Sequence, residues 1–214
     1  MKQLSKGLDE NKIRKISELK NEPLWMLNFR LDSYKKFKES KKIDFGPKLD
    51  INLDDITFYK SLGEEKKNNW EDIKEPIRKT FEDIGLRKAE ENYLAGMHVQ
   101  YESEALYHNM INELNEKNVI FLDTDTALKL YPYIFLKYFG KLVSNDDNKY
   151  ASLNSSVWSG GTFIYVPPNT KLDRPLQSYF RINSKDMGQF ERTLIIVDDN
   201  SELHYIEGCT APNY

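Results

Sequence analysis

The sequence predicts an α+β protein in two parts: a mixed, largely helical region over residues 1–147 and a β-rich region over residues 148–214. Three observations carry this. Apolar residues recur at helical spacing through most of the first part. The acidic, polar stretch SNDDNK at 144–149 ends that pattern. From Tyr150 onward, short runs rich in Val, Ile, Tyr and Phe alternate with Gly, Pro, Asn and Asp clusters, which is the pattern of strands and turns. These runs are too closely spaced for crossover helices. The last third therefore reads as all-β: a sandwich, a barrel or a solenoid.

Taken in order, residues from Leu8 to about Lys20 form a helix carrying Ile13, Ile16 and Leu19. Asn21-Glu22-Pro23 starts the next one, with an Asn cap and a proline in the first turn. That helix aligns Leu24, Leu27, Leu31 and Tyr34, with Trp25, Phe29 and Phe37 alongside, and is a packing helix. Residues 38–69 are polar and read as a linker, with a short strand near Ile56 to Tyr59 and a mobile loop at GEEKKNN. Trp70 to Leu86 is helical again, on Ile73, Ile77, Phe81 and Ile84, with Gly85 as terminator. Arg87 to Lys117 reads as a longer helical stretch, started at Ser103-Glu104 and closed by Asn118. VIFLD (119–123) is a candidate buried strand. Asp123-Thr124-Asp125 caps a following helix that Pro132 should split, with Gly140 near its end. In the β-rich part, VWSGGTFIYV breaks at Gly160-Gly161, PPNTKLDRP precedes LQSYFRI, and DDNS separates ERTLIIV from LHYIEG. Strand lengths fit a solenoid or a jelly roll equally, and no internal repeat decides between them.

Lys and Arg number 31 against 34 Asp and Glu, so the net charge is −3. A nucleic-acid protein would show a basic stripe instead. No run approaches the roughly 18 apolar residues of a membrane helix, and the N-terminus lacks the apolar core of a signal peptide. A single cysteine excludes an internal disulfide framework and fits a reducing compartment. The expectation is a soluble cytoplasmic protein, or a plastid one if organelle-encoded, with neither nucleic acid nor membrane as partner.

The one pointed chemical feature is that cysteine, Cys209, at the end of the last run. A thiolate can take sulfur as a persulfide, bind iron or attack a carbonyl, and a cysteine is as often a small buried hydrophobe. Gly208 and Pro212 suggest a strand end, with Arg181, Arg192 or His204 as candidate spatial neighbours. Alternation puts Arg181 and Asn183 on one face of YFRIN, lining either a polar channel or, more commonly, a solvated surface. In QFERTLIIV both faces carry apolar residues, so either Glu191 or Arg192 points inward and needs a partner. His98 and His108, ten apart, read as surface or core residues rather than a helical ligand pair, and there is no zinc pattern. An odd separation puts His204 opposite Cys209. Glu191, Glu202 and Glu207 could instead form the acidic site of a carbohydrate-active or carbohydrate-binding β-solenoid. A plain binding module whose aromatics mediate association is a third reading.

Several segments resemble the SufB family, the iron–sulfur cluster assembly scaffolds of the Suf system. They are SLNSSVWSGGTFIYVP, PLQSYFRIN, MGQFERTLIIVD and HYIEGCTAP, with NEPLWMLNFRL and AGMHVQYESEALYHN upstream. They occur in the family's order and span about Gly7 to Tyr214. The resemblance implies a right-handed parallel β-helix core, of which 148–214 would be the first, incomplete part, preceded by the mixed helical region. It implies a fragment or truncated product of a longer scaffold. Cys209 matches the cysteine that takes sulfur from a donor protein. Arg181 and Asn183 match positions implicated in assembly, which favours the channel. Glu191 is then expected to point inward and pair with Arg181 along the sulfur route. The implied role is that of a scaffold, not an enzyme, working with a SufC-type ATPase, a SufD-type paralogue, and a SufE- or SufU-type sulfur donor with its cysteine desulfurase. One cysteine cannot supply the four protein ligands of a cluster. A transient Fe–S cluster would therefore need the family's remaining half or a partner, with no metal ligand in this segment. The resemblance also leaves room for reduced FAD in the complex.

Overall fold

A computed structural model describes residues 2–41, 51–61, 63 and 65–212. The α+β class is met, with helices and mixed sheets interleaved along the chain. In order these are β1 (Lys2–Gln3), α1 (Glu10–Lys20), α2 (Leu24–Glu39), β2 (Lys60–Ser61), α3 (Glu75–Asp83), α4 (Leu86–Tyr93), β3 (Gly96–Tyr101), β4 (Glu104–Met110), α5 (Asn112–Glu116), β5 (Ile120–Asp123), α6 (Thr124–Leu130), α7 (Pro132–Tyr138), α8 (Lys149–Val157), β6 (Thr162–Val166), β7 (Leu176–Arg181), β8 (Leu194–Val197) and β9 (Tyr205–Thr210).

The first two helices form where capping chemistry and apolar spacing agree. Asp9 accepts from the Lys12 amide at 2.9 Å, and Asn21, at φ +51°, ends α1. Asn21, expected to cap the next helix, thus closes the first one instead, and α2 starts at Pro23 with no side-chain cap; the proline costs no hydrogen bond there, because the first amides of a helix have no partner in it. Asp123 caps α6 through the Thr126 amide, and Pro132 divides α6 from α7. VIFLD contains β5. The expected strand near Ile56 to Tyr59 is only a bridge from Thr57 to Met187. Lys67, in the expected loop, pairs with β4 at Tyr107. Residues 42–50 of the expected linker lie outside the described residues.

Three readings are corrected. The expected helix from Trp70 to Leu86 is a 3-10 turn at Trp70–Asp72 followed by α3. The expected helical stretch from Arg87 to Lys117 is α4, then an antiparallel hairpin of β3 and β4, then α5. Its two-residue turn places Glu102 at φ +58°, a left-handed position usually marked by Gly or Asn. Finally, the β-rich part is not all-β, because Tyr150 to Val157 lies in α8. Asn148 caps α8 by accepting from the Tyr150 and Ala151 amides. Its small buried faces, Ser152, Ser155 and Ser156, let it pack closely on α2.

Two larger sheets hold the molecule together, in strand orders β4-β3-β7-β9 and β5-β6-β8. Each joins strands from either side of residue 147. Within each, the late strands pair in parallel: Phe163 lies opposite Leu194, 31 residues on, and Leu176 opposite Tyr205, 29 residues on. The chain thus visits the two sheets alternately. α3, α4 and Trp70 cover the outer face of the first sheet at Met97, Val99, Tyr101 and Tyr179. α2, α6, α7 and Trp158 cover the outer face of the second at Phe163, Leu194 and Ile196. Between the sheets lie Phe121, Ile164, Val166 and Leu176. Each fully buried large apolar side chain in these layers stabilises the fold by about 1.5–3 kcal/mol. The break at Gly160-Gly161 is a close approach: a Cβ on Gly161, at φ +101°, would sit 2.3 Å from the Arg192 carbonyl oxygen.

Candidate functional site

Cys209 lies in β9, the outer strand of the first sheet among the described residues, and is exposed. Side chains alternate across a strand, and register partners share a face. Cys209 is opposite Phe180, Glu207 opposite Ser178, and Ser178 opposite His98. Tyr205, Glu207, Cys209, Ser178, Phe180, His98 and Gln100 therefore share the face that looks toward the second sheet. Hydrogen bonds across the gap confirm this. Thr162 Oγ1 bonds Ser178 Oγ at 2.7 Å, Tyr205 Oη reaches Thr162 Oγ1 at 3.1 Å, and the Gly161 amide donates to Gln100 Oε1 at 2.9 Å. Tyr205 Oη also bonds Glu207 Oε2 at 2.9 Å. A row of hydroxyls thus runs inward from the carboxylate beside Cys209. Among the described residues nothing covers Ile195 and Val197 on the facing strand β8, which are exposed.

The other expected site residues fall elsewhere. Arg181 is on the opposite face of β7, where Nη1 donates to Thr210 Oγ1 at 2.9 Å and Nε is buried without a partner. Asn183 lies beyond the strand end with an exposed side chain, and its amide donates to Glu102 Oε2 at 3.4 Å. Glu191 is half-buried in a segment that is not a strand, so alternation does not govern it. Among the described residues no ion pair joins Glu191 to Arg181. Burial pushes the Glu191 carboxyl up, and the Glu207 charge adds to this. Its neighbour Arg192 docks inward over the Phe139 ring at 5.0 Å and donates to the Val143 carbonyl at 2.8 Å. Glu202 is ion-paired with Lys171.

Deeper in the same layer, His98 and His108 face each other across β3 and β4, with ring centroids 6.4 Å apart. His98 is fully buried with both ring nitrogens unpartnered. Burial holds its imidazole down to about 4 and that of His108 to about 3. Nearby, Asp123 accepts from Lys66 Nζ at 2.9 Å. Burial pushes the Asp123 carboxyl up, but Lys66 and His98 outweigh it and hold the group well below the usual carboxylate range. Among the described residues no group of three His, Cys, Asp or Glu side chains could hold a metal ion. No described helix is long and apolar enough to cross a membrane.

Tyr205, Thr162 and Ser178 were missed as site residues. The period-2 pattern of HYIEGC already placed Tyr205, Glu207 and Cys209 together. Nothing in the pattern placed Thr162 or Ser178 against them.

Residues 92–178 match the SufBD protein N-terminal region. Over 210 residues the chain is 56% identical to a Staphylococcus aureus (strain MRSA252) protein named iron–sulfur cluster assembly SufBD family protein, covering 98% of this chain and 45% of that protein. A Staphylococcus haemolyticus protein of the same name is 53% identical over the same coverage. The chain thus spans about half the length of the curated relatives it matches.

Proposed function

We propose, from the premise that this chain belongs to the SufBD family, that it is part of a scaffold for iron–sulfur cluster assembly and receives sulfur at Cys209. The observation that supports this most is the placement of Cys209: a thiol on the face of β9 that also carries Glu207 and Tyr205, at one end of a row of hydroxyls running inward through Thr162 and Ser178. A donor's persulfide anion meets the thiol. A sulfur–sulfur bond forms to Cys209 as the donor's own bond breaks, and the thiol proton ends on the donor sulfur. The sulfur moves with no net oxidation. The cluster itself is cargo, completed with ligands from other parts of the protein or a partner. No residue of the chain is assigned to reduced FAD.

On this reading the alternate parallel returns of β6–β8 and β7–β9 are the first turns of a right-handed parallel β-helix. Of the expected channel residues, Glu191 lies within electrostatic reach of Glu207, whereas Arg181, on the opposite face of β7, and Asn183, beyond the strand end, are assigned no step of the transfer. The protein is a scaffold rather than an enzyme. It works in the cytoplasm with a SufC-type ATPase, a SufD-type paralogue and a SufE- or SufU-type donor served by a cysteine desulfurase. The test is sulfur transfer from desulfurase and donor to the full-length protein. The expected result is a mass gain of one sulfur on the Cys209 peptide, absent in Cys209→Ala. Transfer that leaves this peptide unchanged refutes the reading.

A further inference from the structure

Tyr205, Glu207 and Cys209 follow one another on a single face of β9. Tyr205 lies two residues to one side of Glu207 and Cys209 two residues to the other. A carboxylate bonded to Tyr205 Oη at 2.9 Å is therefore drawn to the side away from the thiol. The phenol is itself fixed from within, because Oη reaches Thr162 Oγ1, which bonds Ser178 Oγ, and both of those residues are fully buried. Burial pushes the Tyr205 phenol up, so it keeps its proton to donate. Burial pushes the Glu191 carboxyl up and the Glu207 charge adds to this, so a carboxylate at this position is felt by its neighbours. Where the Glu207 carboxylate points thus decides what charge an incoming group meets.

We propose that Tyr205 is a positioning residue for sulfur transfer to Cys209: its hydroxyl holds the Glu207 carboxylate off the thiol and keeps the approach open to an anionic sulfur donor. This rests on Cys209 being the sulfur acceptor. In the transfer, the donor persulfide anion gives its terminal sulfur to Cys209 and leaves as a thiol carrying the Cys209 proton. The incoming group bears the negative charge throughout its approach.

The test uses full-length protein with Tyr205→Phe, Glu207→Gln and the double variant. Two alkylating agents of similar size, anionic iodoacetate and neutral iodoacetamide, are compared by mass on the Cys209 peptide. Glutathione persulfide serves as an anionic sulfur donor. In Tyr205→Phe the iodoacetate-to-iodoacetamide rate ratio should fall about threefold, the effect of one unit charge moved to about 7 Å in water. Sulfur uptake should slow by a similar factor. In the Glu207→Gln background, Tyr205→Phe should change neither, because the residue acts through that carboxylate. An unchanged ratio in Tyr205→Phe overturns the proposal. So does an equal fall in both backgrounds, which would mark a merely structural role. If Tyr205→Phe does not fold, Glu207→Gln alone decides: the ratio must stay at or above that of the unaltered protein, and a fall overturns the proposal. If the ratios behave as expected but Cys209 never gains sulfur, the Tyr205–Glu207 arrangement is upheld and the sulfur reading falls.

Discussion

Arg30 and His98 are both basic side chains with no exposed surface, and the fold treats them in opposite ways. Every nitrogen of Arg30 has a partner. Nε and Nη2 donate to the two Glu22 oxygens at 2.7 and 2.6 Å, Nη1 donates to the Ser156 carbonyl, and Nη2 also to that of Trp158. The guanidinium lies 4.6 Å from the Trp158 ring centroid. Burial pushes the Glu22 carboxyl up, but Arg30 and Lys20 outweigh it and leave the group below its ordinary value. His98 has no hydrogen-bond partner on either nitrogen. The difference shows how a charge is carried inside a protein. A guanidinium keeps its proton and must be given partners, whereas an imidazole can escape the cost of burial by becoming neutral.

The sharpest way to break the comparison is to unpair the paired group. Arg30→Met keeps the volume but strands the Glu22 carboxylate, whose side chain is 1% exposed. The expected loss of unfolding free energy is about 3–5 kcal/mol, read from urea midpoints. Double replacement of Arg30 and Glu22 by apolar residues should cost much less, because no charge is left without a partner.

The next effect charges the unpaired group. The folded-state value of His98 is about 4, below the ordinary 6.5. Its contribution is therefore fully present above the unfolded value and is lost as pH falls through the window from 6.5 toward 4. The loss should be about 3 kcal/mol between pH 7 and pH 4. His108 adds to it in the same direction. The charged groups nearest the pair are Asp123 and Lys66. Urea midpoints across that range check this, and His98→Leu should flatten the curve. An unaltered slope in His98→Leu would show that other groups carry the acid sensitivity.

The hydroxyl row lies between these extremes, being buried, neutral and fully partnered. Thr162→Val keeps the shape but removes the buried hydroxyl that Ser178 Oγ and Tyr205 Oη both bond, at about 1–2 kcal/mol. Adding Ser178→Ala should recover part of that loss, because removing both partners of a buried hydrogen bond costs less than removing one.

Much of the fold can be read from residues whose local and tertiary preferences agree. Asp9, Asn21 and Pro23 mark the first two helices, Pro132 divides α6 from α7, and Gly160-Gly161 precedes β6. The hairpin of β3 and β4 was not legible, because its turn depends on Glu102 in a left-handed conformation that no Gly or Asn announces. α8 was hidden by its own composition: Ser, Val and Trp before a Gly pair read as a strand, yet Asn148 and close packing on α2 make it helical. The site divides along the same line. Alternation alone groups Tyr205, Glu207 and Cys209. Their bond to Thr162 spans 43 residues and two sheets, and His98 joins the same face only once β3 is known to be a strand.

The smallest predicted effect tests whether burial, rather than apolarity, sets these costs. Leu142 is 99% exposed, three residues beyond Phe139, which is 8% exposed and packs on Phe29, Phe135 and Trp158. Hydrophobic stabilisation scales with area removed from water, and Leu142 removes almost none. Leu142→Ser should therefore shift unfolding free energy by no more than about 0.5 kcal/mol, whereas Phe139→Ala should cost about 3–5 kcal/mol. A large loss on Leu142→Ser, read from the same urea midpoints, would mean that this side chain is covered in solution, and the surface formed by residues 138–143 would then have to be treated as an interior.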